Sequence, residues 1–275
     1  MTVSAALAGT ARIARAFARA REAKRLGIVV YLTVGYPERA ATGALLRAAL
    51  DGGADVLELG VPFSDPLADG ATVQRASEVA LRQGVSLADC IVEASTIVRE
   101  RDATVVLMGY ANPFLRYRGG LSTFAADAAR AGVAGVIVPD LPSEESAEFD
   151  AALDPEGLAR IDLYAPTTPD DRLARLVPAA RGFVYCVSLT GVTGARQELG
   201  ADVAAFVARV RRHTALPIAV GFGISAAEHV ASLRGIADAV VVGSAALDAV
   251  SAAPADRRPA ALRQFVAMLA AAGKD

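Results

Sequence analysis

The chain alternates short runs of apolar, often β-branched residues with longer segments in which apolar residues recur every three or four positions. The short runs are typical of buried strands, and the longer segments are typical of amphipathic helices. The predicted strands are residues 28–33, 55–60, 104–109, 135–139, 161–165, 182–187, 217–221 and 239–243. The predicted helices are residues 39–51, 72–83, 87–101, 121–131, 144–153, 170–177, 201–212, 226–234 and 259–272.

Regular alternation of this kind predicts an α/β fold with a parallel sheet that is covered by helices. Eight predicted strands alternate with helices, and eight such units close a barrel. The sequence therefore predicts a (β/α)8 TIM barrel formed as a single domain over residues 1–275. An open doubly wound sheet is the alternative, but its usual GxGxxG marker is missing after the first strand, where Gly35, Tyr36 and Pro37 follow instead. Two smaller domains would need a linker, and no low-complexity stretch divides the chain.

The segment before the first strand has two interpretations. Residues 10–27 are rich in arginine and poor in acidic residues, as in an organellar transit peptide. However, Ile13, Phe17 and Ala20 recur at helical spacing, and Gly27 ends the pattern just before the first strand. This pattern favours an extra N-terminal helix within residues 1–27 that packs on the barrel.

Composition narrows the class of protein. Apolar residues make up 53% of the chain, tryptophan is absent and the net charge is −2 without a basic stripe, which does not favour a nucleic-acid partner. Cys90 and Cys186 stand far apart and form neither a disulfide framework nor a zinc pattern, so a reducing compartment fits. No apolar run reaches the roughly 18–20 residues that a membrane helix needs. We therefore expect a cytoplasmic, small-molecule enzyme.

The second predicted strand and the loop after it carry three carboxylates. Glu58 alternates with Leu57 and Leu59, so it faces away from the leucines, either into solvent at a sheet edge or into an enclosed interior. Asp65 and Asp69 lie in the following loop. The pattern leaves Asp65 open between a turn residue and a chemical role, whereas Asp69 is spaced to fold back over the barrel mouth. This arrangement predicts an acid/base site.

Glycines and serines cluster after the last three predicted strands. They are Gly194, Gly221, Gly223, Ser225, Gly243 and Ser244. Backbone N–H groups at such positions can approach a phosphate closely, and a helix that starts at Ser244 would add its dipole. Tight turns with Ser225 as a helix cap are the alternative, but glycines after strands seven and eight are where TIM barrels commonly bind phosphate.

Other polar residues give weaker signals. Asp140, after strand four, either caps the next segment or orients a loop. His213 and His229 fall in or at the end of predicted helices rather than at strand ends, so neither resembles a metal ligand. We expect no metal site, and catalysis would rest on carboxylates.

Several segments together resemble the tryptophan synthase α subunit family, and the resemblance extends over almost the whole chain. They are residues 31–37, 57–70, 107–113, 138–142, 188–194 and 221–225. Residues 58–70, ELGVPFSDPLADG, are highly specific, while GFGIS at 221–225 is moderately specific alone. The resemblance implies retro-aldol cleavage of indole-3-glycerol phosphate to indole and D-glyceraldehyde 3-phosphate, a step of tryptophan biosynthesis.

The resemblance also implies residue roles. It assigns Glu58 as the general acid/base and Asp69 as the carboxylate that binds the indole N–H. Its further assignments are substrate contacts at Tyr31, Tyr110 and Tyr185, phosphate contacts at Gly194, Gly223, Gly243 and Ser244, and partner or loop contacts at Asp65, Asn112 and Thr193.

The resemblance implies no cofactor in this subunit and an α2β2 assembly with a β subunit that carries pyridoxal phosphate. Two departures from the family pattern are Ala71-Thr72 after the ADG motif and residues 188–190 in the loop after strand six. The second departure concerns the loop through which the family closes its site, so it bears on coupling more than on chemistry. Two alternatives therefore stay open: a free-standing lyase that releases indole, and a chain that mainly activates the β subunit.

Overall fold

The computed structural model describes residues 9–187, 196–221 and 223–274, with the side chains of residues 196–201 excepted. In this part of the chain all strand pairs are parallel and form one sheet, in the order β5-β4-β3-β2-β1-β9-β8-β7-β6. The strands are β1 Gly27–Thr33, β2 Val56–Gly60, β3 Val105–Met108, β4 Gly135–Ile137, β5 Ala159–Ile161, β6 Leu163–Tyr164, β7 Val184–Val187, β8 Ile218–Gly221 and β9 Ala239–Val242.

The sheet closes through its own chain. The two edge segments β5 and β6 are separated only by Asp162, whose carbonyl oxygen accepts a hydrogen bond from the Tyr185 N–H at 3.0 Å. One interrupted strand therefore occupies the fifth position, and the predicted (β/α)8 TIM barrel is confirmed.

Helices follow the strands and cover the outside of the barrel. They are α1 Gly9–Glu22, α2 Thr42–Asp51, α3 Ala71–Arg82, α4 Leu87–Arg101, α5 Ala111–Leu115, α6 Gly120–Arg130, α7 Ala147–Leu153, α8 Asp170–Leu176, α9 Arg196–Arg211, α10 Ala227–Ala231, α11 Ser244–Ala252 and α12 Arg258–Ala272. Short 3-10 turns occupy Arg39–Ala41, Ser143–Glu145, Asp154–Glu156, Val177–Ala179 and Ala255–Arg257.

The predicted N-terminal helix is present and closes one end of the barrel. Ile13 and Phe17 of α1 are buried in the same cluster as the inward-facing Val56 and Phe183. The Phe17 and Phe183 rings lie 5.3 Å apart between centroids. Because α1 fills the end where the strands begin, the end where they finish remains for a site.

The structure departs from the predicted elements in several places. The fifth strand begins at Ala159 instead of residue 161, and α9 begins at Arg196 instead of residue 201. The short helix α5 was not predicted. The start of the fifth strand was misplaced because Arg160 is charged, and an arginine seldom lies in a buried strand. Here it is only 8% exposed and pairs with Asp150 and Asp162.

Within the described ranges, no helix combines the length and the apolar character that a membrane span requires.

Candidate active site

Glu58 lies on the inward face of β2, which resolves the alternative that the sequence left open. It is 1% exposed, and it aligns with Tyr31 on β1 and Val106 on β3. The alternation of β2 therefore places Leu57 and Leu59 against the outer helices and Glu58 inside the barrel. Both carboxylate oxygens of Glu58 are buried and have no hydrogen-bond partner among the described residues.

Burial raises the pKa of Glu58 to about 8, and the negative charge of Asp69 adds to that shift. The side chain is therefore mostly protonated at neutral pH. A neutral carboxylic acid that is buried inside a barrel is suited to donate its proton to a bound molecule.

Asp69 enters from the loop after β2. Burial raises its pKa to about 6, and a hydrogen bond from Tyr110 opposes the shift. Asp69 is therefore mostly ionised at the pH at which Glu58 is mostly protonated. Two carboxyl groups with separated pKa values are typical of an acid and an anion with different tasks.

The two carboxyl groups share a cavity of about 300 Å³ at the open end of the barrel. Tyr31 and Tyr185 line it from β1 and β7, and Met108 and Val73 add apolar surface. Burial raises the pKa of both tyrosines well above the usual value. They stay neutral, and the cavity offers flat apolar walls that fit an aromatic ring.

Two glycines make room for these tyrosines. A Cβ atom at Gly60 would lie 2.2 Å from the Tyr31 hydroxyl oxygen, and one at Gly221 would lie 2.3 Å from the Tyr185 hydroxyl oxygen. The rings therefore lean over strand positions that carry no side chain. This packing fixes both aromatic walls.

The opposite side of the same cavity is a glycine–serine rim. Gly223, Ser225, Gly243 and Ser244 line it, and Ser244 starts the nine-residue helix α11. Gly223 has φ +83°, a conformation that side chains other than glycine rarely adopt. The first N–H groups of a helix lack partners within that helix and favour an anion. The cavity thus joins an aromatic pocket with acid/base groups to an anion-binding rim.

A second cavity of about 340 Å³ lies beside the ends of β4 and β6. Its arginines are already paired, Arg172 with Glu144 and Arg160 with Asp150 and Asp162. Because those charges are neutralised locally, the cavity around Glu58 is the better candidate for an active site.

Comparison with known proteins decides the family. A family model described as tryptophan synthase alpha chain matches residues 17–272. The chain belongs to the tryptophan synthase alpha chain family. The family resemblance that the sequence motifs predicted is thereby confirmed.

Relatives of this family cover nearly the full chain. The tryptophan synthase alpha chain of Roseiflexus castenholzii is 52% identical over 260 residues, which span 94% of this chain and 98% of the relative. That of Chloroflexus aggregans is 50% identical over 248 residues, with 90% and 92% covered.

Solved structures agree. A crystal structure of tryptophan synthase from M. tuberculosis, in its aminoacrylate-bound form, superposes with a TM-score of 0.86 at 36% identity, covering 96% of this chain and 99% of that one. The tryptophan synthase subunit alpha of Legionella pneumophila gives a TM-score of 0.86 at 31% identity, covering 95% and 97%.

The structure gathers most of the site residues that the sequence predicted. Residues around the cavity are Tyr31, Glu58, Asp69, Tyr185, Gly223, Gly243 and Ser244. The predicted residues Gly194 and Thr193 lie outside the described residues. Asp65 and Asn112 are exposed and do not line the cavity, which agrees with a loop or partner contact but does not test it.

Sequence reasoning did not predict several features of the site. Val73, Met108 and Ile224 line the cavity but are ordinary apolar residues in the sequence, so no motif marks them. His229 was assigned no role in the site from the sequence, and its Nδ1 accepts a hydrogen bond from the N–H of Ser225, a cavity residue, at 3.3 Å. Its spacing of four residues from the serine was the signal that could have indicated this contact. Among the described residues no group of three His, Cys, Asp or Glu side chains could hold a metal ion.

Proposed function

We propose that this chain is the α subunit lyase of its family and cleaves indole-3-glycerol phosphate to indole and D-glyceraldehyde 3-phosphate. The observation that carries the proposal is the pairing of a buried, neutral Glu58 with an ionised Asp69 in one cavity that has aromatic walls and a glycine–serine rim. The substrate has matching parts, since it joins an indole ring to a phosphate through a hydroxylated chain.

In the proposed reaction Glu58 moves protons twice. Its carboxylic acid first gives a proton to the indole ring carbon that bears the side chain, which makes the ring a better leaving group. The resulting carboxylate then takes the proton of the adjacent side-chain hydroxyl. The carbon–carbon bond breaks, its electron pair returns to the ring, and an aldehyde forms. Glu58 ends the reaction protonated, as it began.

Asp69 stabilises the charge that develops on the ring. Protonation of the ring carbon leaves positive charge at the indole nitrogen, and an ionised carboxylate that accepts the indole N–H stabilises that state more than the neutral substrate. Tyr31 and Tyr185 hold the ring between them. Gly223, Gly243 and Ser244 hold the phosphate, and this anchor keeps the reacting carbon near Glu58. Gly194 joins the phosphate contacts in this proposal.

We further propose that the chain works with a pyridoxal-phosphate β subunit, uses no cofactor of its own and acts in the cytoplasm. The exposed loop after β2 supports a docking face at the barrel mouth, because Leu67 is 93% exposed there next to Asp65. An apolar side chain of that exposure is suited to be covered by a partner. Asn112 and Thr193 are proposed contacts on the same face.

One experiment separates this proposal from its alternatives. The purified chain is supplied with indole-3-glycerol phosphate, with and without a cognate β subunit, and both products are measured. We expect slow cleavage alone and a rise of roughly 5–150-fold on addition of the β subunit, the range of typical allosteric coupling. Fast cleavage that ignores the β subunit would instead identify a free-standing lyase. Activation of the β subunit without cleavage would identify a purely regulatory chain.

A further inference from the structure

Tyr110 lies behind Asp69 rather than in the cavity. It is 4% exposed, and the described residues that line the cavity include Asp69 but not Tyr110. Its hydroxyl oxygen accepts a hydrogen bond from the backbone N–H of Ala68 at 2.8 Å. Because Ala68 immediately precedes Asp69, this bond fixes the backbone that carries the Asp69 carboxylate. The phenol keeps its own proton.

The tyrosine itself is fixed from two further sides. Its ring stacks on Phe63, with centroids 5.1 Å apart and planes inclined by 25°. The next residue, Ala111, donates its N–H to the Asp140 carboxylate at 2.9 Å. One ring therefore joins the start and the end of the catalytic loop to the segment after β3.

We infer that Tyr110 is a positioning residue that fixes the backbone before Asp69, and thereby the Asp69 carboxylate, rather than a substrate contact. The inference rests on the proposed function of Asp69. Burial raises the pKa of Tyr110 above its usual value, and the charge of Asp69 raises it further, so the hydroxyl keeps its proton. The neutral phenol beside Asp69 in turn lowers the pKa of that carboxyl, against the rise that burial causes.

The test replaces the hydroxyl and keeps the ring. Tyr110→Phe retains the contact with Phe63 and removes the hydroxyl that binds the Ala68 N–H. Since a hydrogen bond to a charged group stabilises that charge on the order of tenfold, we expect the pKa of Asp69 to rise by about one unit in the variant. The measurement is the pH titration of ¹³Cγ-labelled aspartate by NMR, with the Asp69 signal assigned from Asp69→Asn. It needs no turnover, so it remains informative if the proposed reaction is wrong.

A matched control exists in the same chain. Tyr117 donates a hydrogen bond to Asp127 at 2.8 Å, neither residue lines the cavity, and that bond lowers the pKa of Asp127. Tyr117→Phe should therefore raise the pKa of Asp127 and leave that of Asp69 unchanged. An Asp69 titration that is the same in wild type and Tyr110→Phe would overturn the inference.

Turnover then distinguishes positioning from direct substrate contact. If Tyr110 acts through Asp69, Tyr110→Phe lowers kcat on the order of tenfold in the wild-type background and has almost no further effect in Asp69→Asn. An equal loss in both backgrounds would show that Tyr110 contacts the substrate itself and would refute the positioning role.

Discussion

At the scale of single residues, the fold disfavours the charged form of Glu58, and the site uses the neutral form. Glu58 is removed from water and meets no hydrogen-bond partner in the part of the chain that the structure describes, so its neutral form is the stable one. Asp69 lies nearer to solvent and accepts a hydrogen bond, so it ionises first. The different surroundings of two similar side chains thus assign the proton donor and the anion.

The raised pKa of Glu58 has a consequence for stability. In the unfolded chain Glu58 loses its proton near its usual pKa of 4.5, whereas in the folded chain it keeps the proton up to about 8. The folded state therefore binds more protons between these values, and the free energy of unfolding falls as the pH rises through this window. Glu58→Gln cannot ionise, so we expect it to be more stable than wild type above pH 8, by up to about 5 kcal/mol.

Urea unfolding of both proteins from pH 5 to 9 measures this difference. Glu78→Gln, on the exposed side of α3, controls for the loss of one carboxyl group at the surface. If Glu58→Gln and Glu78→Gln followed the wild-type pH dependence equally, Glu58 would not carry the buried proton.

At the scale of elements, strand register and glycine spacing shape the cavity. Tyr31 and Glu58 are neighbours across β1 and β2, and Gly60 leaves the space that the Tyr31 ring occupies. We expect Gly60→Ala to push this ring into the cavity, to destabilise the fold by about 1–3 kcal/mol and to raise KM for indole-3-glycerol phosphate.

Gly43→Ala provides the comparison for that change. A Cβ atom at Gly43 in α2 meets only ordinary contacts of 3.6 Å or more, so this variant should match or exceed wild-type stability. Urea unfolding and KM are measured for both variants. Equal stability and equal KM in the two would contradict the account of the aromatic wall.

Most of the strands and helices could be predicted from the sequence. Apolar runs located the strands, and the residues after them marked the open face of the barrel. The prediction failed in the fifth strand, where a charged side chain is buried because it forms ion pairs. Arg160 is buried because Asp150 and Asp162 neutralise it, and these partners become neighbours only in the folded chain.

In the site too, local motifs could be predicted and contacts between distant residues could not. Glu58, Asp69 and the glycine rim belong to local motifs, so their grouping could be predicted. The contact of Tyr110 with Ala68 joins residues 42 positions apart, so its geometry could not be inferred from spacing.

At the scale of the whole molecule, the sheet closes into a barrel and α1 covers one end of it. A site can therefore form at the other end, where the strands finish. α1 fills the end where the strands begin, and the interrupted strand at Asp162 joins the sheet edges. The functional groups therefore collect at the other end, where the exposed loop after β2 can meet a partner. The loop after β2 thus carries both Asp69, which lines the cavity, and Leu67, which is exposed at the barrel mouth.

The central claim is that Glu58 gives and takes the proton while Asp69 remains ionised. The most direct measurement is kcat/KM for indole-3-glycerol phosphate against pH, for wild type and Glu58→Gln. Activity needs ionised Asp69 and protonated Glu58, so wild type should show a bell that rises near pH 6 and falls near pH 8. Glu58→Gln should lose on the order of 10²–10⁴ in rate or more. Near-normal turnover of pure Glu58→Gln, or a wild-type rate that keeps rising above pH 8, would contradict the account.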